Sequence, residues 1–443
     1  MRFTPWATRL ALTLSLSATA FLTACGSGGS GGSDTQVRLL NATRSYAALD
    51  LTVNDKTINS KVAYAAVGDY GTVDTNNTAT KVLTSDVGTS IAATTPTLTG
   101  GSNYTYITYG FAGAIRTTLL QENQDAPDAN KAKLLVLNLA PDAGAMDVYV
   151  TTAADCSLAS ETALTTNLQG GAGSGYIQIN SGTFRVCATG YNQRGDLRLE
   201  IPAITLDSAS VNTLILTATD GGVLVNGITL VQKGAVKNFA NTQARVRTVA
   251  ALTNGSTVTS SINSKTMFSA AAISPLISNY VTTTSGASTL SVNVNGLGIS
   301  FTPPTLAAGG DYTLLIWGDA SAPQMSVLSD DNRLPTVSGN VKIRLVNALP
   351  TLSSSLNVDF STIASNVAPG TASTPTSISS TTSSQVDVTV PTSAASIYTK
   401  SDLAFPANSV WTFFAVPTTS TASTVTSTMP VAGMGALPKR ERP

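Results

Sequence analysis

The chain has 443 residues, and its 25 basic and 25 acidic side chains give a formal net charge of zero. Charged residues make up 11% of it, against about 25% in typical soluble domains, so the composition offers no basic surface for nucleic acid. No histidine is present, which excludes Ser-His-Asp and Cys-His catalysis and every zinc site that needs imidazole. Hydrolysis by a pair of carboxylates stays open.

The N-terminus has the pattern of an export signal. Arg2 and Arg9 form a basic region, and the apolar stretch at residues 10–22 is too short to span a bilayer. The sequence LTAC, which ends at Cys25, resembles the lipobox of bacterial lipoproteins, in which the thiol receives a diacylglycerol before cleavage. We therefore expect residues 1–24 to be a signal peptide and Cys25 to be the lipidated first residue of the mature protein. The alternative is an ordinary signal peptide followed by a chance cysteine.

Residues 25–34 predict a flexible tether, because GSGGSGGS has no preferred structure. Residue 26 is glycine and not aspartate, so by resemblance to Gram-negative lipoproteins the usual inner-membrane retention signal is missing. We expect an exported protein on the outer membrane, if the cell is Gram-negative, that faces the periplasm or the cell surface.

One stretch is used four times along the chain, with its clearest copy at VRLLNATRSYAALDLTVN. The copies are anchored at Asn41, Asn138, Ala250 and Asn347, which lie 97, 112 and 97 residues apart. The first and third anchors, and the second and fourth, are therefore both separated by 209 residues. This spacing predicts a two-repeat unit that is itself duplicated.

Composition and periodicity predict an all-β fold, because Thr and Val favour strands and Gly, Asn, Asp and Ser supply turns. We expect four tandem antiparallel β-sandwiches of immunoglobulin-like type. Their predicted bounds are 35–130, 131–241, 242–339 and 340–430, and residues 431–443 are expected to form a flexible tail.

Alternating side chains predict the buried face of each sandwich. Leu49, Leu51 and Val53 alternate with polar residues and so share one face of a strand. The same face is predicted at Met146, Val148 and Val150 and at Leu356, Val358 and Phe360. In the late strand NYTYITYG, Tyr104 and Tyr106 share a face, which suits packing within a sheet better than stacking against a sugar.

The second repeat carries the two remaining cysteines, Cys156 and Cys187. The distance from anchor to late-strand threonine is 64, 63 and 65 residues in the other repeats but 75 here, which indicates an insertion. Export places both thiols in an oxidising compartment, so we expect a disulfide. Two buried free thiols are the alternative.

The links between repeats carry acidic clusters. Asp330 and Asp331 precede the fourth repeat, and Glu122, Asp125 and Asp128 precede the second. Oxygen ligands between tandem domains suit Ca²⁺, so Asp330 and Asp331 are weak calcium candidates, whereas the simpler interpretation is a solvated acidic turn. No catalytic residue and no cofactor site is expected.

The repeats resemble the bacterial "domain of unknown function 4397" family. The resemblance depends on LNLAPDAGAMDVYV at 137–150, YTLLIWG at 312–318 and VLSDDN at 327–332. Membership implies exported, often lipidated, tandem β domains and no agreed activity.

Three functions remain in competition. A non-catalytic, lipid-anchored envelope protein would act as a structural stalk, adhesin or interaction module, and a surface lipoprotein would bind a glycan or peptide. A hydrolase with paired carboxylates is the third, although no two acids recur at a motif spacing. We expect the first, with the membrane as one partner and an envelope protein or a glycan as another.

Overall fold

The computed structural model describes residues 34–253, 255–393 and 395–417, without the side chains of residues 270 and 271. These residues form strands and short connections around one helical element, the 3-10 turn Pro141–Ala143, so the predicted all-β class is confirmed. No helix within these ranges is long and apolar enough to cross a membrane. The signal peptide, Cys25, the tether up to residue 33 and the tail at 431–443 lie outside the described residues.

The strands fall into four successive segments, numbered here as the four repeats. The first contains β1 (Thr35–Asn41), β2 (Ala48–Val53), β3 (Lys56–Ala63), β4 (Gly71–Val73), β5 (Thr80–Thr84), β6 (Ser90–Thr94), β7 (Asn103–Phe111) and β8 (Ala114–Gln121). The second contains β9 (Lys131–Leu139), β10 (Met146–Thr151), β11 (Thr165–Leu168), β12 (Gly173–Asn180), β13 (Gly182–Gly190), β14 (Gln193–Leu206), β15 (Ser210–Ala218), β16 (Val225–Val231) and β17 (Val236–Phe239).

The third and fourth repeats continue the pattern. The third contains β18 (Gln243–Leu252), β19 (Thr257–Ile262), β20 (Lys265–Ile273), β21 (Leu276–Ile277), β22 (Val281–Thr284), β23 (Gly286–Ala287), β24 (Leu290–Val294), β25 (Leu297–Ile299), β26 (Thr305–Leu306), β27 (Asp311–Asp319) and β28 (Ala322–Ser329). The fourth contains β29 (Asn340–Asn347), β30 (Ser354–Val358), β31 (Ser361–Val367), β32 (Thr371–Ala372), β33 (Thr376–Ser379), β34 (Val386–Thr389), β35 (Tyr398–Lys400) and β36 (Ser409–Ala415).

Each repeat forms two main sheets, an inner one that contains the opening and late strands and an outer one. The inner sheets have the orders β4-β1-β7-β8, β12-β9-β15-β16-β17, β21-β18-β27-β28 and β32-β29-β33 with β36 also on β29. The outer sheets have the orders β3-β2-β5-β6, β11-β10-β13-β14, β20-β19-β24-β25 and β31-β30-β34-β35. These sheets each draw their strands from one repeat. That each repeat is an independently folding domain stays a prediction.

One detail of the predicted fold is wrong, because the inner sheets are not purely antiparallel. In every repeat the opening strand runs parallel to the late strand. The anchors pair at Asn41 with Thr108, Asn138 with Leu216, Ala250 with Ile316, and Asn347 with Ala415. Each partner lies three residues after the aligned late-strand threonine, so the alignment of the four copies is confirmed, including the degenerate third.

The predicted buried faces are confirmed, with Val150 only partly buried against its core, apart from one exception. Leu49, Leu51 and Val53 are buried against Tyr104 and Tyr106 in the core of the first repeat, so these tyrosines pack and do not present a sugar-stacking face. Phe360 is the exception, since 84% of it is exposed. The strand ends at Val358, and Asp359 and Phe360 form a turn with φ values of 47° and 64°, which interrupts the alternation.

Two apolar clusters join the repeats in pairs. The first lies between repeats one and two and contains Leu40, Ala42, Ile107, Tyr109, Leu120, Leu135, Leu139, Ile215, Ile228 and Leu230. The second lies between repeats three and four and contains Val249, Ala251, Leu315, Trp317, Val346, Ala348, Phe414 and Val416. Inner sheet therefore packs on inner sheet, and the predicted two-repeat unit exists as a packed pair that occurs twice.

Candidate functional site

A buried ion pair lies beside the first apolar cluster, at what we call the first joint. Arg38 points from β1 and donates from Nη2 to both oxygens of Glu122, at 3.1 Å each. Its Nε donates to the Thr105 hydroxyl at 2.9 Å, and its guanidinium lies 4.4 Å from the Tyr70 ring centroid. The Tyr70 hydroxyl donates to Glu122 at 2.8 Å. Charge-assisted bonds of this kind satisfy a buried carboxylate that would otherwise be costly to dehydrate.

The first joint spans two repeats, because its charges also bond to the second repeat. The backbone N–H of Lys233 donates to Glu122, and Arg38 Nη1 donates to the backbone carbonyl of Gly234 at 2.9 Å. Both residues belong to the turn between β16 and β17. Glu122 is therefore a bonded contact between repeats, whereas Asp125 and Asp128 of the same link are exposed, as the solvated-turn interpretation expects.

The second joint repeats this arrangement. Arg247 lies 3.6 Å from Asp330, and its Nε donates to the Thr313 hydroxyl at 2.9 Å. Thr313 and Tyr280 both donate to Asp330. Arg344 of the fourth repeat pairs with the other Asp330 oxygen, so one buried carboxylate lies between arginines of two repeats.

The electrostatics of the joints follow from burial and neighbouring charge. Burial and the Glu122 carboxylate raise the pKa of Tyr70, and burial is also the main cause that raises the pKa of Tyr280. Both phenols therefore stay neutral donors at ordinary pH. Burial alone would raise the pKa of Asp330, but Arg344 and Arg247 outweigh it and lower that pKa below the ordinary value of 3.8.

The structure leaves little for calcium to bind at Asp330 and Asp331. Both Asp330 oxygens already face guanidinium groups or hydroxyl donors. Asp331 accepts two bonds from the Arg333 guanidinium, at 2.7 and 3.0 Å, and one from the Arg333 backbone N–H at 3.2 Å. Lys342 Nζ lies 3.1 Å from the Oδ2 oxygen of Asp331. In the described ranges no group of three or more His, Cys, Asp or Glu side chains could hold a metal. The solvated-turn interpretation is wrong for Asp330, because only 3% of that residue is exposed.

The insertion of the second repeat contains a disulfide between Cys156 and Cys187, as predicted. Cys187 lies on β13 and is buried with Tyr149 and Leu158, so the bridge fastens the loop after β10 to the outer sheet. Arg194 holds the same loop by donating to the carbonyl of Leu158.

Sequence reasoning found the acids of the joints but not their partners. A signal was present, since VRLLN, VRTVA and IRLVN place an arginine at the same position of an apolar strand. Arg38 and Arg247 are also 209 residues apart, the step of the duplicated unit. A charge inside an apolar strand indicates a buried ion pair. Tyr70 and Tyr280 had no comparable signal, because each lies in an irregular connection before a short strand.

A cavity of about 510 Å³ lies where the two packed pairs of repeats meet. Its walls include Phe111 and Arg116 of the first repeat, Asp142 of the second, and Arg333 and Lys342 from the second unit. Another cleft, of about 690 Å³, lies between the second and third repeats, beside Leu199, Phe239 and Lys265. A third cleft, of about 370 Å³, lies in the first repeat beside Tyr46, Lys61 and Asp86, and all three are large enough for a small ligand.

Comparison with protein families gives one match. The model of the family described as "Domain of unknown function (DUF4397)" matches residues 35–149 and 244–354, together just over half of the chain. The two matches begin 209 residues apart, and each covers the first repeat of a pair and the start of the next. No curated protein matches the chain.

Two of the solved structures that match are only distantly similar to the chain. A candidate cell adhesion protein from Bacteroides uniformis is 11% identical over 45% of this chain and 97% of its own, with a TM-score of 0.21. A family CBM26 module from Eubacterium rectale, solved with maltoheptaose, is 15% identical over 46% of this chain and 97% of its own, with a TM-score of 0.16. TM-scores this low establish no common arrangement of strands.

Proposed function

Because the chain belongs to the family of domain of unknown function 4397, whose name assigns no activity, we propose its function from geometry. It is a non-catalytic, lipid-anchored cell-envelope protein whose tandem β repeats act as a structural stalk, adhesin or interaction module. The observation that carries the proposal is the packed pair. In each pair, one apolar cluster and one buried ion pair hold the two repeats together as a single packed unit.

The chemistry of the joints supports a non-catalytic role. A glycosidase needs two carboxylates that face a substrate across a gap. Glu122 and Asp330 are instead buried, and each is bonded to arginine, threonine and tyrosine side chains.

The proposed anchor is the lipidated Cys25, and the tether at 25–34 would hold the first repeat away from the membrane. We propose attachment to the outer membrane if the cell is Gram-negative. The partner on the other side would be an envelope protein or a glycan. Packed pairs of repeats that display a surface from such a tether would suit both a stalk and an adhesin.

The test is the fractionation of cells that express the protein or its Cys25→Ser variant. We expect wild-type protein in the detergent phase with a labelled acyl group, and the variant in the aqueous phase. Thr23→Ala is the matched control, since it keeps the cysteine. A Cys25→Ser variant that remains wholly membrane-bound would contradict the anchor.

The 690 Å³ cleft supports a second candidate function, a glycan- or peptide-binding surface lipoprotein. Glycan-array binding by the purified Cys25→Ser protein decides between the two. Reproducible binding that is lost in a Phe239→Ala variant supports the binding function. An array without signal leaves the stalk or protein-adhesion role.

A further inference from the structure

The two packed pairs meet along a seam of backbone contacts. Gly221 lies in the loop between β15 and β16, and its N–H donates to the carbonyl of Gly309 at 3.0 Å. The N–H of Asn332 donates to the carbonyl of Gly221 at 3.1 Å, and the N–H of Leu334 donates to the carbonyl of Asp142 at 3.3 Å. A Cβ at Gly221 would lie 2.3 Å from the Gly309 oxygen, so the close approach requires glycine. In the described ranges no apolar core cluster joins the two pairs.

A carboxyl group is buried at this seam without hydrogen bonds. Both carboxylate oxygens of Asp142 are buried, and no other described residue donates a hydrogen bond to either. The charged groups that face it come from the second pair and are Asp331, Arg333 and Lys342. Arg333 and Lys342 are both bonded to Asp331, so neither forms an ion pair with Asp142. A buried carboxylate with no donor is costly, whereas a neutral carboxyl is much less so.

We propose that Asp142 makes the seam responsive to acid: binding of a proton favours the closed seam, and loss of the proton favours its opening. The inference goes beyond the proposed function, since a stalk or adhesin needs no such response. The opening would occur between the packed pairs, which themselves stay intact.

The direction follows from linkage. Burial raises the pKa of Asp142 from 3.8 to about 6, and Arg333 opposes this only in part. When the seam opens, water hydrates the carboxylate and its pKa returns towards the ordinary value. A raised pKa in the closed state means that closure is favoured at low pH. That advantage is lost as the pH rises from about 4 to about 6, with an upper limit on the order of a hundredfold in the opening equilibrium.

The seam borders the 510 Å³ cavity, so opening would also change that surface. Phe111 and Asp142 line the cavity from the first pair, and Arg333 and Lys342 line it from the second. Arg333 lies 4.5 Å from the Phe111 ring centroid and is the side chain that bridges the two walls. A change of pH would therefore alter the spacing of a potential contact surface.

Hydrogen exchange on the full-length purified protein tests the proposal. Protection factors, corrected for the intrinsic dependence of exchange on pH, are measured between pH 4.5 and 7.5 for the amides of Asn332 and Leu334, which donate across the seam. We expect protection to fall by at least tenfold over that range. The strand β7, inside a packed pair, serves as an internal reference and should not change.

Asp142→Asn is the decisive variant, because the neutral amide cannot titrate. Its seam should keep high protection at every pH, whereas the exposed control Asp86→Asn should behave as wild type. If Asp142→Asn fails to fold, carbon-13 titration of the wild-type Asp142 carboxyl replaces it. Protection that is flat in the wild type, pH dependence that persists in Asp142→Asn, or a titration near pH 4 would each overturn the proposal.

Discussion

The two joints use the same kinds of side chain but differ in how many arginines each carboxylate serves. Among the described arginines Glu122 bonds to Arg38, whereas Asp330 lies between two of them, Arg247 and Arg344. The residue of the second repeat that corresponds to Arg38 is Leu135, which pairs with Thr213 as Arg38 pairs with Thr105. Leu135 packs in the apolar cluster, and the backbone N–H of Lys233 donates to Glu122 where a second arginine would otherwise donate. The first joint therefore contains one arginine and the second contains two, whereas both contain a buried carboxylate.

This comparison predicts the largest effect for Asp330→Ala. The substitution leaves Arg247 and Arg344 buried with no counter-charge, and breaking a buried pair costs about 3–5 kcal/mol. We expect the upper end of that range, because two cations lose one partner. Unfolding in denaturant, followed by the fluorescence of Trp317 and Trp411, measures it, since these tryptophans lie in repeats three and four. A loss below about 1 kcal/mol would contradict the account.

Glu122→Ala should have the next largest effect, a loss of about 3 kcal/mol in the free energy of unfolding, because it leaves one buried arginine without a counter-charge and not two. The loss should be confined to the first pair. Hydrogen exchange in β1 and β7 measures it, with β18 and β27 as the unaffected control. An equal loss of protection in both pairs would mean that the pairs do not unfold separately.

Arg344→Leu should have a small effect, about 1 kcal/mol, since the carboxylate keeps Arg247, Thr313 and Tyr280. It converts the second joint to the one-arginine form that the first joint already has. Arg247→Leu is the matched comparison and should cost more, because it also removes the bond to Thr313. If both variants lose the same stability, the account is wrong in treating Arg344 as the arginine that the first joint replaces with Leu135.

Acid should weaken the second joint only at low pH. The folded pKa of Asp330 is below 3.8, so its contribution is fully present above about pH 4 and is lost as the pH falls through the folded pKa. Thermal unfolding of repeats three and four between pH 4.5 and 2.5 measures this loss. The midpoint should fall less in Asp330→Asn than in wild type, since the amide has no charge to lose. A parallel fall in both proteins would assign the acid sensitivity to other groups.

The sequence predicted what depends on local pattern and repetition. Periodicity in the sequence predicted the all-β class, the alternation at Leu49, Leu51 and Val53, and the step of 209 residues. Expected export to an oxidising compartment predicted the disulfide. The parallel pairing of opening and late strands was not, since alternation carries no strand direction. Phe360 was misplaced because a turn with positive φ follows the last regular residue. The contact of Arg38 with Glu122 joins residues 84 apart, and Asp142 is isolated by a seam that no periodic pattern marks.

The central claim is that two repeats form one unit through a shared joint, and hydrogen exchange of the Asp330→Ala protein tests it most directly. Repeats three and four should lose protection together and by the same free energy, in both β27 and β36, while repeats one and two keep theirs. Loss confined to the third repeat, with β36 protected as in wild type, would contradict the packed pair.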